Sequence, residues 1–152
     1  MIVVIGGGPA GLAAALAASS GEANVVLLDN SPRLGGQYWR HLPEIWGESK
    51  AISYNYANAK QIFSAVLNSP NITWISGAQV WSAEKASEKI KINYIQDRKE
   101  NTVIAEKLIL ATGAYDRTLP FPGWDIPGVM TPGSAQAMLK SHGVLVGNEI
   151  VV

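Results

Sequence analysis

Apolar residues are distributed along this chain in distinct rhythms, and each rhythm predicts a kind of element. "IVVI", residues 2–5, is a continuous β-branched run bounded by glycine. Such a run reads as a strand buried on both faces. "NVVLLD", 24–29, and "ITWIS", 72–76, are of the same type. Between the first two, residues 10–19 are rich in Ala and Leu, the best helix formers, and Pro9 suits a first helical turn. Ser19-Ser20-Gly21 ends that helix. Strand, helix and strand within about 30 residues form a βαβ unit, so the two strands should be parallel.

A helical rhythm follows. Ala59, Ile62, Phe63, Val66 and Leu67 recur on one face, and Ser69-Pro70-Asn71 stops them. The rhythm then shortens to two. In "KIKINYI", 89–95, Ile90, Ile92 and Tyr94 alternate with Lys89, Lys91 and Asn93, which predicts one buried and one wet face. With "AQVWSA", 78–83, and "NTVIAE", 101–106, it predicts an antiparallel meander with polar turns at 85–88 and 97–101. "KLILAT", 107–112, is again continuous and should rejoin the parallel sheet. Residues 37–50 read as irregular, with Trp39, Pro43, Trp46 and Gly47. Beyond Gly113 the chain is rich in loops, with a short helix over 133–141, and "NEIVV" starts another buried strand. The fold class is α/β: a three-layer Rossmann-like domain with a parallel sheet, an antiparallel meander and an incomplete C-terminal side.

Composition narrows the chemistry. The 12 basic and 12 acidic side chains cancel, so neither nucleic acid nor an anionic membrane finds an electrostatic footprint. Cysteine is absent, which removes disulfides, thiolate metal sites and a Cys-x-x-Cys redox pair. His41 and His142 are too far apart in sequence to form a metal-ligand pattern and read as surface or partly buried imidazoles. No positive residue precedes the first apolar run. Gly6, Gly7, Gly8 and Pro9 interrupt it, and Ser19-Ser20 follow before a span of about 20 apolar residues is reached. A cytoplasmic protein without a membrane span is expected.

"VVIGGGPAGLAAALAA", 3–18, contains Gly6-x-Gly8-x-x-Gly11 between a strand and a helix. Gly6 permits a tight turn, Gly8 lets backbone approach a pyrophosphate, and Gly11 allows close helix packing. With Pro9 and Ala10, these residues begin a helix whose free amides and positive dipole end suit phosphate. Asp29 lies 21 residues after Gly8, at the end of the second strand. Alone it would be a solvated acid; in this setting it is placed to accept ribose hydroxyls. The pattern points to an adenine dinucleotide.

"DNSPRLGG", 29–36, and "LILATGAYDRTLPFPG", 108–123, resemble signatures of the two-dinucleotide-binding-domain flavoproteins. The resemblance implies FAD, bound along Asp29, Asn30, Arg33, Gly35, Gly36 and Gln37, with Ala111, Thr112 and Gly113 at the second signature. Gln79 and Val80 match where that family's backbone meets adenine, or are ordinary strand positions. Gln37 and Tyr38 lie near the isoalloxazine ring or serve loop packing. "RLGGQYWRH" and "ATGAYDRTLPFPGWDIPGVMTPGSAQAMLK" narrow the resemblance to the FAD subunits of opine oxidases, hydrogen cyanide synthase and the sarcosine oxidase α subunit. That group oxidises C–N bonds of small amino-acid or amine substrates and works with partner subunits. The resemblance covers the whole chain and implies more beyond it. Residues 1–142 would be the N-terminal part of the FAD-binding domain. Residues 143–152 would be a linker and the first strand of a second, NAD(P)-type domain, and the incomplete sheet leaves an edge at which Val151 and Val152 can pair with a neighbouring chain. No residue qualifies as an acid or base, so no catalytic residue is named. An NAD-linked domain and a non-catalytic nucleotide-binding subunit stand as alternatives. Arg117 holds the following loop or pairs with Asp116, and Trp39, Trp46 and Trp124 are half-buried packing or line a cofactor or partner surface.

Overall fold

In a computed structural model that describes residues 1–43 and 56–151, β1 (Ile2–Ile5), β2 (Val25–Asp29), β3 (Ile72–Ser76) and β7 (Lys107–Leu110) form a parallel sheet in the order β3-β2-β1-β7. α1 (Pro9–Ser19) connects β1 to β2, and α2 (Tyr56–Leu67) precedes β3. β4 (Gln79–Ala86), β5 (Lys89–Gln96) and β6 (Lys99–Ala105) form the antiparallel meander. α3 (Pro132–His142) lies near the C-terminus.

The continuous apolar runs are explained by two cores, one on each face of the parallel sheet. Val4, Val25 and Leu27 pack with Leu12 and Ala15 of α1 and Ala59, Phe63 and Val66 of α2. Their neighbours Val3, Ile5 and Leu28 face the other way, onto Ile92, Tyr94 and Ala105 of the meander. Adjacent residues of a strand point to opposite faces, so a strand between two apolar layers carries apolar residues at every position. The layers are thus helices, parallel sheet and meander.

The structure corrects several expectations. Leu67, placed on the apolar face of α2, is mostly exposed at the last residue of the helix, where no further turn covers it. Asn93, expected on the wet face of β5, is buried. Its amide donates to Ser82 Oγ at 2.8 Å, and its carbonyl accepts from Thr102 Oγ1 at 2.8 Å. This polar row across the three strands satisfies the amide, which is the condition for burying it. The turns are tighter than expected: β6 starts at Lys99, after Asp97 and Arg98, both with left-handed φ (50° and 62°). Paired left-handed residues match the twist of a two-residue hairpin. β7 rejoins the parallel sheet, but among the described residues it pairs with β1 alone, and Leu110 is exposed at its end.

The chain divides into two units, Met1–Trp39 with Asn55–Gly113, and Arg40–Tyr54 with Ala114–Val152. The first holds both cores. In the second, α3 is capped by Thr131, whose hydroxyl accepts the Ser134 amide at 3.2 Å, and it ends at left-handed Gly143. Asp116 accepts from the Gly133 amide at 2.9 Å. Asp116 therefore serves the N-terminus of α3, a role the pairing with Arg117 did not anticipate. Arg40 donates to Ser141 Oγ at 3.0 Å. Ile150 and Val151 are exposed and form no strand, since among the described residues no strand lies beside them to complete a ladder. Trp46 lies outside the described residues, and Trp124 is nearly half exposed in a turn. Among the described residues no helix is long and apolar enough to cross a membrane.

Candidate functional site

At the C-terminal ends of the parallel strands, the chain leaves β1 through a three-glycine turn and enters α1. Gly6 has φ 110°, a left-handed value that favours glycine. A side chain on Gly6 would also overlap the carbonyl of Ala111, at the end of β7. The Gly6 amide donates to Leu28 at 2.8 Å, and the Ala111 amide donates to Ile5 at 2.8 Å, so the turn is tied on both sides. Gly11 is buried, and a Cβ there would overlap the Gly6 carbonyl. The third glycine thus brings the helix onto the turn itself, with the Ala111 side chain beside it.

Gly8 behaves differently. It is the N-cap of α1, and a Cβ there would meet only Gly36 Cα, at 3.9 Å. Having no side chain, it leaves the first-turn amides of α1 without a side-chain acceptor, and no acidic residue lies in that turn. Pro9 occupies the first turn, where a missing N–H costs nothing. Ala10 is exposed. The absent side chain, uncapped amides and the positive end of the helix dipole form a cradle suited to an anionic diphosphate.

Asp29 projects from the end of β2 towards this turn. One carboxylate oxygen accepts the Gly7 amide, and the other accepts the Ser31 amide at 2.6 Å. Each oxygen has a second lone pair, so the group can also accept hydroxyl protons. The alternative of a merely solvated acid does not describe it: Asp29 is half-buried and organises two loops. Ser31 returns its carbonyl to Gly77, and the Asp29 carbonyl accepts from Ala78 at 2.8 Å, which brings the start of β4 to the end of β2.

The paired glycines lie against the same turn. Gly35 donates to the Gly7 carbonyl at 2.8 Å. Gly36 has φ 58°, and a Cβ on it would sit 2.9 Å from Gly8 Cα. Leu34 is buried in the helix-face core and anchors this loop. Trp39 closes it: its amide donates to Gly35 at 3.1 Å, and its ring meets Phe63 edge-on at 5.9 Å.

The structure therefore gathers Gly6, Gly8, Pro9, Ala10, Gly11, Asp29, Gly35, Gly36 and Ala111, with the Thr112 backbone also beside Gly6. Other expected residues are more peripheral. Asn30 and Gln37 are exposed, and the Arg33 amide donates to Ser31 Oγ at 3.3 Å. Gln79 is exposed, while Val80 packs against the meander-face core, so its side chain has a structural role. Gly113 is exposed with φ 74° and open space around it. Tyr38 is half exposed, its ring edge-on to Trp39. Sequence reasoning missed Gly7 and Ser31. The signal for Gly7 was present: a third consecutive glycine at a position where the motif asks for none.

The model of the pyridine nucleotide-disulphide oxidoreductase family matches residues 1–152. The chain belongs to this oxidoreductase family. An opine oxidase subunit of Agrobacterium tumefaciens is 35% identical over 99% of the chain. The sarcosine oxidase α subunit of Rhizobium meliloti is 31% identical over 96%. The crystal structure of L-proline dehydrogenase from P. horikoshii superposes with a TM-score of 0.71 at 26% identity, over 91% of the chain. The chain spans 31%, 15% and 28% of these relatives, respectively. They agree in being oxidoreductases, and two are subunits by name.

Proposed function

We propose that this chain is the N-terminal FAD-binding part of a flavin-dependent oxidoreductase that oxidises a C–N bond of an amino acid or amine. The observation that carries the proposal is the convergence of the Asp29 carboxylate, the Gly35–Gly36 loop and the uncapped start of α1 on a single glycine turn. The paired-glycine loop favours FAD, because binding NAD alone requires only the turn and the acid. The relatives named for opine, sarcosine and L-proline support an amino-acid or amine substrate. Two of them are subunits, which supports a partner subunit here.

In this reading Gly8, Pro9, Ala10 and Gly11 form the diphosphate cradle, with Gly6 shaping the turn, and Asp29 accepts ribose hydroxyls. Asn30, Arg33, Gly35, Gly36 and Gln37 follow the cofactor, Gln79 and Val80 flank its adenine, and Ala111, Thr112 and Gly113 border its far side. FAD, when bound, supplies the two-electron acceptor for the oxidation. The protein's part is to hold the diphosphate and ribose so that the reactive end is placed. Residues 1–142 are assigned to the FAD-binding domain, and 143–152 to the lead into a second dinucleotide-binding domain of NAD(P) type.

The test is a pair of titrations of the full chain, one with FAD and one with NAD, followed by flavin fluorescence and calorimetry. FAD should bind, and Asp29→Ala should weaken it by roughly tenfold or more, the loss expected when buried polar partners are unpaired. Binding of NAD in preference to FAD, or FAD affinity indifferent to Asp29, would overturn the reading.

A further inference from the structure

Along β5, Ile90, Ile92 and Tyr94 turn inward, onto the core that contains Val3, Ile5 and Leu28 of the parallel sheet. Strand alternation puts the last residue of β5 on the same side, and there the inward row changes from apolar to polar, at Gln96. The Gln96 side-chain amide donates to the Ser76 carbonyl at 2.9 Å, in a partly buried bond. Ser76 ends β3 and stands beside Asp29 in the parallel register. β3 and β5 belong to different sheets and share no ladder. The apolar packing between those sheets is non-directional, so it holds them together without fixing their offset. A hydrogen bond demands a distance and an angle, and so fixes it.

The turn that Gln96 reaches, Ser76-Gly77-Ala78, carries the chain from β3 into β4. It is tied from the β2 side as well: the Gly77 amide donates to the Ser31 carbonyl at 3.3 Å, and the Ala78 amide to the Asp29 carbonyl at 2.8 Å. Gln79 and Val80 follow at once, opposite Ile95 and Tyr94, and the ladder then shifts register before Ser82. That irregularity separates Gln79 and Val80 from the rest of β4, so the turn beside them does most to set their place.

We propose that Gln96 is a positioning residue for the adenine side of the dinucleotide site. By holding the Ser76 carbonyl it sets the spacing between Asp29, at the ribose, and the Gln79–Val80 backbone, at the base. Gln96 acts through the turn and not on the ligand. This inference rests on the FAD reading above and deepens it.

The experiment is calorimetric titration of the full chain and of Gln96→Met, Gln96→Glu and Thr102→Val with FAD, ADP and GDP, circular dichroism showing that each variant is folded. Met keeps the length of Gln96 and removes the donor; Glu, ionised at about pH 8, puts an acceptor against the carbonyl. ADP and GDP share ribose and diphosphate and differ in the base, and the parent should prefer ADP. Both Gln96 variants should weaken FAD and ADP by roughly three- to tenfold, the worth of one hydrogen bond, and GDP by less than about twofold. Thr102→Val breaks a bond to Asn93 within the meander, away from the turn, and should leave all three affinities within about twofold of the parent. Equal losses for ADP and GDP, or a Thr102→Val loss as large as that of Gln96→Met, would show general loosening of the meander and overturn the proposal. A parent that binds FAD but does not distinguish ADP from GDP, or Gln96 variants that bind FAD as the parent does, would overturn it while the FAD reading stands. A parent that binds neither FAD nor ADP defeats the FAD reading, and this inference with it.

Discussion

The two units of this chain are held by different forces. In the unit of Met1–Trp39 and Asn55–Gly113, β1 and β2 are sandwiched between apolar layers, and Val3, Val4, Leu12, Leu27 and Ile92 are fully buried. In the other unit no described residue is buried, and Tyr115, Leu119, Phe121, Leu145 and Ile150 are mostly exposed. Among its described residues it carries individual hydrogen bonds instead: Asp116 to Gly133, Thr131 to Ser134, Arg40 to Ser141, and the Gly143 amide to Leu139 at 2.9 Å. Burial of apolar surface is non-directional and accumulates with area, whereas a capping bond acts on one helix end. The candidate site draws on both. Its loops are pinned by hydrogen bonds, but they rest on strands fixed by the cores.

This contrast predicts a descending series of effects. The largest belongs to the sandwich: Leu27→Ala should cost about 2–5 kcal/mol, because it empties a fully buried position between β2 and the helices. Chemical denaturation measures this, and a loss below about 1 kcal/mol would show that the helix-face core is not what holds the sheet. Next comes the buried polar row of the meander. Asn93→Ala leaves Ser82 and Thr102 without their shared partner, and a loss of about 1–3 kcal/mol is expected. The smallest effect is in the second unit, where Thr131→Ala removes a cap and should cost about 1 kcal/mol. Hydrogen exchange should localise that loss to the first turn of α3. If protection were instead lost evenly along α3, the Thr131 cap would not be what holds its first turn.

Much of the fold is legible in the chain because its elements announce themselves locally. Continuous aliphatic runs gave β1, β2, β3 and β7 within a residue or two, and period-two alternation gave the meander. Leu67 and Asn93 were misjudged for a common reason. Burial at a given position depends on what lies opposite, and no periodic rule reports where a helix ends or whether neighbouring strands supply a hydroxyl on each side. "NEIVV" has the composition of a buried strand, but a strand forms only where a ladder is available.

The site divides along the same line. Glycine spacing and the distance to Asp29 specify a dinucleotide turn, since backbone conformation and close approach select residue types that can be read directly. The partners of that turn are set across long sequence separations: Gly7 to Asp29 spans 22 positions, and Gly6 lies against Ala111 at the end of the last parallel strand. Those contacts exist because β2 and β7 flank β1 in the sheet. A carboxylate in the sequence is a candidate ligand group; only its position one strand away from the turn makes it the acceptor of the Gly7 amide.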